Sequence, residues 1–577
     1  MATVIAAQTW CDYSISLTSA AGSMMKITLF AVAVLAAAPT VFAQTPAGGA
    51  QLQQIQPPPA RPKSVPDLRI IDKHASPAPE EHGARFPLRS LRVSGATRFS
   101  EAELIAASHF HPGAETNLAG LRSIADQISK FYNRHGYFVA QAYVPAQDIR
   151  DGAVTIVVVE GHYGKIGLRN SSRVSSGVAG GILAGVGTGD VVVSPPLERR
   201  LLLLSDLPGV VVKSTLGPGE AVGTSDLLVD LLPGRRVTGS VEADNAGNRY
   251  TGEYRAGGTV NFNEPLGWGD VASLRVLTSG SGLAYIRGSY QGQIRSATVG
   301  VAYAHLSYRL GREFSSLKPR GTVDISSLYA SYPLVRSRNT NVYALADLDE
   351  RILKDRVGSP ASVSDRAAEV VTLGLAGDYR DRLWGGGWTT WSVGGSLGNL
   401  RIKTPAVRAI DTATAQTEGG YSKLSFEVAR LQNLAGPWSL FGRARGQLAS
   451  GNLDSSEKIE LGGAYGVRAY PEGEGYGDEG YLLTAEVRLR LAELSRRIGG
   501  DLQAVAFVDN GAVTINTSPW SPGTNSRNLT AAGVGLTWAA PSDFLAKVSY
   551  AFELGSERAT SSPDHGGRLW VQVVKFF

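Results

Sequence analysis

From about residue 235 to residue 577 the chain alternates apolar and polar residues in segments of roughly ten, and no helical period persists. In LLTAEVRLRL, Leu483, Ala485, Val487, Leu489 and Leu491 face one way, while Thr484, Glu486, Arg488 and Arg490 face the other. In WSLFGRARGQL, Trp438, Leu440, Gly442, Ala444 and Leu448 oppose Ser439, Arg443, Arg445 and Gln447. Sixteen such segments can be marked, from 236–246 and 250–262 to 543–553 and 567–577. An even count suits a closed bacterial barrel.

The connections between these segments sort by length. Those after odd-numbered segments, including 351–366, 401–420, 450–479, 511–527 and 554–566, are mostly long. Those after even-numbered ones, such as NEPLGWGD, PLVRSR, DRLWG and QNLAG, are short. A soluble sandwich also alternates, but its loops would vary without rule. Long loops on one side and short turns on the other are the asymmetry of a transmembrane β-barrel, predicted here over 234–577 with 16 antiparallel strands. Both ends of such a barrel face the short-turn side, which places the preceding residues in the periplasm.

Residues 86–233 read differently. FPLRSLRVSG is predicted to be a strand, and Ser100 opens a helix with Glu103 at capping-box spacing. A second helix starts near Asn117 and carries Leu118, Leu121, Ile124, Ile128 and Phe131 on one face. Gly136 ends it, and YFVAQAYVP and AVTIVVVEG supply two strands. A looser copy follows: KIGLRN, SGVAGGILAG, PPLERRLLLLSDLPG, VVVKSTLG and SDLLVDLLPG. Two β-α-α-β-β units in tandem, 86–161 and 162–233, make a short array.

The N-terminal part is a targeting region and a linker. Met24, Met25 and Lys26 precede an apolar run ending Val41, Phe42, Ala43, the pattern of a secretory signal peptide. Residues 1–43 are therefore assigned to a signal-peptide region with the true start at Met24 or Met25. That start removes Cys11, the one cysteine. Residues 44–85, with QPPPARP at 56–62, form a Pro-rich linker with room for a turn or two of helix at AQLQQIQ.

Composition removes several classes of function. With a single cysteine there is no intramolecular disulfide and no Cys-based metal site. The eight histidines are scattered without HExxH or HxH spacing, and the net charge of +5 is not clustered as a nucleic-acid partner would require. A hydrolase would need a Ser/His/Asp constellation, but the barrel region holds only His305 and His565, neither in a motif. No enzyme activity, cofactor, metal or nucleic acid is expected.

One stretch calls for a specific explanation. GGAYGVRAYPEGEGYGDEGY, residues 462–481, contains seven glycines, four tyrosines and one basic residue, Arg468. Together with FPLRSLRVSGATRFSEAEL, YNRHGYFVAQAYVPAQDIRDGAVTIVVVEG, DNAGNRYTGEYR, NEPLGWGD and YPLVRSR, it makes the chain resemble the TpsB transporters of two-partner secretion. These are relatives of the outer-membrane barrel insertases. The resemblance implies that 86–161 and 162–233 are POTRA domains. It also implies that 450–479 is the long loop between strands eleven and twelve that folds back into the lumen.

The family's loop motif is Val/Ile-Arg-Gly-Tyr/Phe, and here it reads Val467, Arg468, Ala469, Tyr470. If the position of Ala469 requires positive φ, alanine there costs on the order of 1 kcal/mol. The family pairs the arginine with an aspartate on the inner wall. The matching motif is AFVDNG, in which Asp509 shares a face with Phe507 and Gln503. A bidentate Arg–Asp pair would pin the loop in a way lysine reproduces poorly; the alternative is a solvated loop arginine and an aspartate with other partners. The resemblance also marks the aromatic Phe577 as an assembly signal read by the barrel-assembly machinery. It leaves two options for 44–56, a short helix plugging the pore or a disordered tail.

The expected function is an ATP-independent outer-membrane translocase for a large exoprotein of the TpsA type. The client would be captured unfolded by the periplasmic domains and threaded past a charged wall of Glu242, Asp244, Arg443, Arg445, Glu486, Arg488 and Arg490. A barrel insertase with the same parts is the alternative, and a passive porin leaves 86–233 without purpose. Beyond the exoprotein, the expected partners are outer-membrane lipid and, during biogenesis, the assembly machinery.

Overall fold

The computed structural model describes residues 47–55, 67–70, 84–358, 361–540 and 543–577. The signal segment, the start at Met24 or Met25, Cys11 and the prolines at 57–59 lie outside the described residues. Within the linker region stand a short helix, α1 (Gly48–Gln53), and a strand, β1 (Asp67–Ile70).

The first α/β unit comprises β2 (Phe86–Leu88), β3 (Ser90–Ser94), α2 (Glu101–Ala107), β4 (Ala114–Thr116), α3 (Leu118–Arg134), β5 (Gln141–Tyr143) and β6 (Ala153–Val159). Its sheet order is β3-β6-β5, with β3 parallel and β5 antiparallel to β6. The capping box at α2 is complete, the Ser100 hydroxyl accepting from the Glu103 N–H and the Glu103 carboxylate from the Ser100 N–H. FPLRSLRVSG is not one strand. It breaks at Arg89, whose N–H donates to the Gly152 carbonyl, and β2 pairs separately with β4. The apolar face of α3 is also rotated from expectation: Leu118 is exposed and Tyr132 fully buried. A buried tyrosine needs a partner, and its hydroxyl donates to Glu160 at 2.9 Å.

The second unit repeats the order with β7 (His162–Asn170), α4 (Ser176–Leu183), α5 (Ser194–Ser205), β8 (Val210–Pro218) and β9 (Thr224–Pro233). Here the edge position that β5 holds in the first unit is held by β8, and β8 is itself covered by β1, which pairs with it in parallel from Asp67↔Lys213 to Ile70↔Leu216. The linker is thus partly sheet. Its sequence hid this because four residues are too few to show alternation.

Sixteen strands then close on one another. The first eight are β10 (Val237–Asp244), β11 (Arg255–Asn263), β12 (Val271–Thr278), β13 (Leu283–Ile294), β14 (Ala297–Arg309), β15 (Arg320–Arg336), β16 (Thr340–Gly358) and β17 (Ala361–Asp381). Next come β18 (Gly387–Ile402), helix α6 (Pro405–Ala413), β19 (Gly419–Asn433) and β20 (Trp438–Ala449). The long loop holds a minimal hairpin, β21 (Ile459–Glu460) and β22 (Tyr476–Gly477). The wall resumes with β23 (Glu479–Arg490), helix α7 (Ala492–Ile498), β24 (Asp501–Thr514), β25 (Ser526–Ala540), β26 (Phe544–Glu553) and β27 (Gly567–Phe576). Strands β10 and β27 form the seam, extended by Gly239 and Phe577 exchanging two backbone bonds of 3.1 Å. Gly239 has no side chain to spare there, since a Cβ would lie 2.1 Å from the Thr259 carbonyl and 2.6 Å from the Phe577 ring.

Several boundaries differ from the sequence expectation, β15 running on to Arg336 and β24 to Thr514, and two differences are larger. Segment 351–366 is not a loop: β16 and β17 stay paired out to Gly358↔Ala361. Strands of 19 and 21 residues are about twice what a bilayer crossing needs, so this hairpin projects beyond the membrane. There both faces meet polar surroundings, and the alternation that marks a strand fades. Segment 250–262 starts late because Asn248 builds a turn, its side chain accepting from the Tyr250 N–H and its carbonyl from the Gly252 N–H, so that β11 begins only at Arg255.

The second α/β unit is docked on the short turns. Arg336, at the end of β15, makes a two-pronged contact with Asp206 at 2.7 and 2.9 Å, and Arg199 donates to the carbonyls of Pro333 and Leu334. The Ser175 N–H donates to Gly267 in the turn NEPLGWGD. Gly267 sits at φ +81°, with a Cβ position only 2.7 Å from the Arg173 carbonyl.

Glu160 offers a test of the first unit. Burial opposes its ionisation, but donors from Thr97 (hydroxyl and N–H), the Arg98 N–H and the Tyr132 hydroxyl outweigh it and hold the carboxyl below the usual range. A lowered folded-state pKa contributes stability that is whole above the unfolded value, about 4.3, and is lost as pH falls through the folded value. Glu160→Gln places an amide donor against N–H donors and is expected to cost about 2 kcal/mol at neutral pH. The urea midpoint of the periplasmic units in the full-length protein, compared at about pH 7 and about pH 3.5, should fall in the variant and lose the part of its acid dependence that Glu160 contributes.

Candidate functional site

The long loop enters the lumen and folds tightly on itself. The Val467 N–H donates to the Leu461 carbonyl at 2.7 Å, and the Gly463 N–H to that of Tyr470 at 3.1 Å. Two glycines permit the close approach: a Cβ on Gly466 would lie 2.0 Å from the Leu461 carbonyl, and one on Gly462 2.2 Å from that of Pro471. Ala469 is buried, and its φ lies outside the left-handed region. The conditional penalty raised above therefore does not arise.

Arg468 projects from this turn onto the inner wall. Its Nε and Nη2 donate to the two carboxylate oxygens of Asp509 at 2.7 and 2.8 Å. Nη1 lies 3.0 Å from Glu486, and the guanidinium stacks 3.4 Å over the Phe507 ring. The Arg468 carbonyl accepts from the Trp570 indole at 2.6 Å. Asp509, with no solvent exposure, also accepts from the Thr484 hydroxyl at 3.0 Å. On either side of the arginine, Val467 and Tyr470 are fully buried in a cluster with Phe507, Leu529 and Ala551, and the Tyr470 hydroxyl donates to the Glu557 carbonyl at 2.9 Å.

Most of the remaining wall charges are paired. Glu242 meets Arg275 at 3.0 Å, and Asp244 meets Arg255 at 2.8 Å. Arg443 binds Glu427 at 2.9 Å, and Arg488 binds Glu486 at 2.7 Å while stacking on Phe441. Arg445 donates to the Glu460 carbonyl within the loop. Arg490 stands apart, at the short-turn rim with Asp501.

The sequence reading passed over the loop's acidic residues, which make as many contacts as Arg468. Glu474 takes the N–H and hydroxyl of both Thr560 and Ser561 and faces Arg527 at 3.1 Å. Asp478 pairs with Lys458 at 2.6 Å, Glu457 with Arg351 and Lys423, and Asp454 with Arg366. The signal was present, since carboxylates recur through 454–479 opposite basic residues at alternate positions of the wall strands. Also inside the lumen is α1. The Gly48 N–H donates to Asp355, Gln53 to the Ser456 carbonyl, Gln54 to the Tyr476 hydroxyl, and Arg255 to the Gln54 carbonyl. Gly49 abuts the loop so closely that a Cβ would sit 2.5 Å from the Ser456 nitrogen.

A closed 16-stranded barrel carrying α/β domains at its short-turn side and a loop returned to its lumen defines a class, the outer-membrane proteins of the POTRA–barrel type. The comparisons narrow it. Residues 223–538 match the family of haemolysin secretion/activation proteins ShlB/FhaC/HecB, and residues 86–161 match the ShlB-type POTRA domain. The chain belongs to that family of two-partner secretion transporters of the Gram-negative outer membrane, with its POTRA domains in the periplasm. It is 28% identical to the heme/hemopexin transporter protein HuxB of Haemophilus influenzae strain 86-028NP, over 90% of this chain and 92% of the relative. Identity to the outer membrane transporter CdiB of Escherichia coli is 25%, over 87% and 85%. The fold is shared with the solved structure of CdiB from Escherichia coli (TM-score 0.65, 21% identity, 88% and 93% covered). It is also shared with BamA from Haemophilus ducreyi lacking POTRA domains 1–3 (TM-score 0.53, 13% identity, 85% and 100% covered).

The geometry makes the two members of the Arg468–Asp509 pair unequal. Arg468→Ala leaves Asp509 buried with only the Thr484 hydroxyl and one N–H, a loss of about 3–5 kcal/mol for breaking a buried pair. Asp509→Ala leaves Arg468 with Glu486 and Phe507 and is expected to cost less. The double variant should be no worse than Arg468→Ala, because paired residues are not additive. Arg468→Lys should rescue only in part. Heat-modifiability of the barrel and protease access to 450–479 measure this; additive single effects would separate the two residues.

Proposed function

We propose that the protein captures an unfolded exoprotein at its POTRA domains and passes it through the lumen once the loop and α1 release their polar contacts, with Arg468–Asp509 as the loop anchor. The observation that carries this reading is the way the lumen is filled. Loop 450–479 and α1 are held by many ion pairs and hydrogen bonds, which water can replace when the segments move, while their apolar holds are local: the Val467–Tyr470 turn with Leu461, Leu453 against the wall, and Leu52 and Ile55 at α1. The wall charges Glu242, Asp244, Arg443, Arg445, Glu486 and Arg488 would then line a wet path with few apolar holds for a passing chain.

Capture by strand addition needs a free sheet edge. In POTRA 1 no other strand among the described residues pairs with the outer edge of β5, whose Ala142 N–H donates instead to the Ser129 hydroxyl of α3, a contact an added strand would have to replace. In POTRA 2 the equivalent edge carries β1 of the chain's own linker. An arriving strand would add at β5 or displace β1. Direction would come from client folding outside, with no nucleotide, cofactor or catalytic step. Phe577, paired at the seam, would act in assembly as the residue read by the barrel-assembly machinery.

Deleting residues 86–160 should leave a heat-modifiable barrel and abolish secretion of a co-expressed exoprotein partner; undiminished secretion refutes capture by POTRA 1. Deleting residues 44–60 removes α1 and should raise single-channel conductance in planar bilayers. Unchanged conductance would mean that α1 does not obstruct the pore.

A further inference from the structure

The lipid-facing wall has a furrow on β24. Ala504 and Ala506 point outward there, and their register partners on both sides are larger. Ala504 lies between Leu489 and Leu536, and Ala506 between Val487 and Val534. Two methyl groups among four branched side chains leave an apolar trough of about 540 Å³, bounded further by Trp438 and Tyr550. Ala504 lies near the start of β24 at Asp501, so that end of the trough is the one nearer the short-turn, periplasmic rim.

Helix α7 sits at that rim. It covers Leu502, which shares the outward face of β24 yet is only 8% exposed, and the Leu502 N–H donates to the buried Ser495 hydroxyl at 2.9 Å. Leu494 and Ile498 of the same helix are each 44% exposed. Arg496 shares Glu493, whereas Arg497 has no acidic partner among the described residues. The Trp538 indole donates to the Gly499 carbonyl at 2.7 Å and meets Phe544 edge-on at 4.5 Å, an aromatic pair at interface level. The neighbouring rim cations, Arg490 and Lys575, are neutralised by Asp501 and Asp543, so α7 carries the net positive charge of this sector.

We propose that this sector is a binding site for one anionic phospholipid of the periplasmic leaflet. Its headgroup phosphate pairs with Arg497 and Arg496, and an acyl chain lies in the trough over Ala504 and Ala506. An apolar trough at hydrocarbon depth takes an acyl chain because exposed backbone and water are both excluded there. The surplus arginine charge selects an anionic headgroup over a zwitterionic one. Exposed Leu494 and Ile498 seat the helix in the interface, as amphipathic surface helices do.

The probe is phosphatidylglycerol, offered against phosphatidylcholine of the same acyl chains to the full-length protein in detergent, with retained lipid counted by native mass spectrometry. The parent should retain one phosphatidylglycerol in preference to phosphatidylcholine. Arg496→Gln/Arg497→Gln should weaken that preference by roughly ten-fold or more, at about 1 kcal/mol per cation. Ala504→Leu/Ala506→Leu, which fills the trough, should lose retention of both lipids. If the trough variant fails to give a heat-modifiable barrel, the arginine variant on the exposed helix still decides. Equal retention of the two lipids by the parent, or unchanged selectivity in the arginine variant, would overturn the proposal.

Discussion

Asp509 is a carboxylate with no access to water on the inner wall of a wide barrel, and such a group must be given a cation or be neutralised. Arg468 supplies the cation from the far side of a loop, and its fork takes both oxygens. The rest of the lumen follows from that requirement. To bring Arg468 to Asp509, the loop must descend the lumen, turn within a few residues and return, which explains why Gly462 and Gly466 stand where a Cβ would strike backbone. The descending limbs carry Asp454, Glu457, Glu474 and Asp478 past the wall, and each of these meets a cation.

A barrel interior can be closed with apolar side chains or with paired charges, and the two behave differently when something must pass. Buried ion pairs contribute little net stability relative to apolar packing, because desolvation offsets most of their attraction. They are therefore suited to a closure that has to open and re-form. Here the apolar part is divided into small local grips, the Val467–Tyr470 turn against Phe507, Leu529 and Ala551, Leu453 against Val370 and Leu400, and Leu52 and Ile55 against the cluster of Leu306, Tyr308 and Leu353, while charged and polar contacts join them along the limbs. α1 is set into the same polar framework, contacting both the wall at Asp355 and the loop at Ser456. Movement of the loop and of the helix would thus be coupled through shared partners.

On the periplasmic side the same economy of edges appears. A short three-stranded POTRA sheet has two exposed borders. The second domain covers one with β1 and anchors its helical layer to the barrel through Asp206 and Arg336. The first domain keeps the corresponding border short, with β5 limited to Gln141–Tyr143.

The barrel was legible in the chain because membrane crossing imposes a period of two on every strand. That pattern is local: the outward Leu483, Ala485 and Val487 and the inward Thr484, Glu486 and Arg488 announce themselves without reference to any neighbour. The alternation of long and short connections was legible for the same reason, as was the order of elements in the periplasmic units. Where local pattern was weak the reading slipped, at the projecting β16–β17 hairpin, at Leu118, at Arg89 and over the four residues of β1. The Arg468 and Asp509 motifs could be picked out, but which wall charge meets which loop charge could not. Those pairs join residues as far apart as Arg351 and Glu457, and α1 meets the loop across a still longer stretch at Gln53 and Ser456; only the stagger of the closed barrel and the path of the loop bring them together. Depth in the lumen, shared burial and the trough beside Ala504 are properties of that closure, and no stretch of sequence contains them.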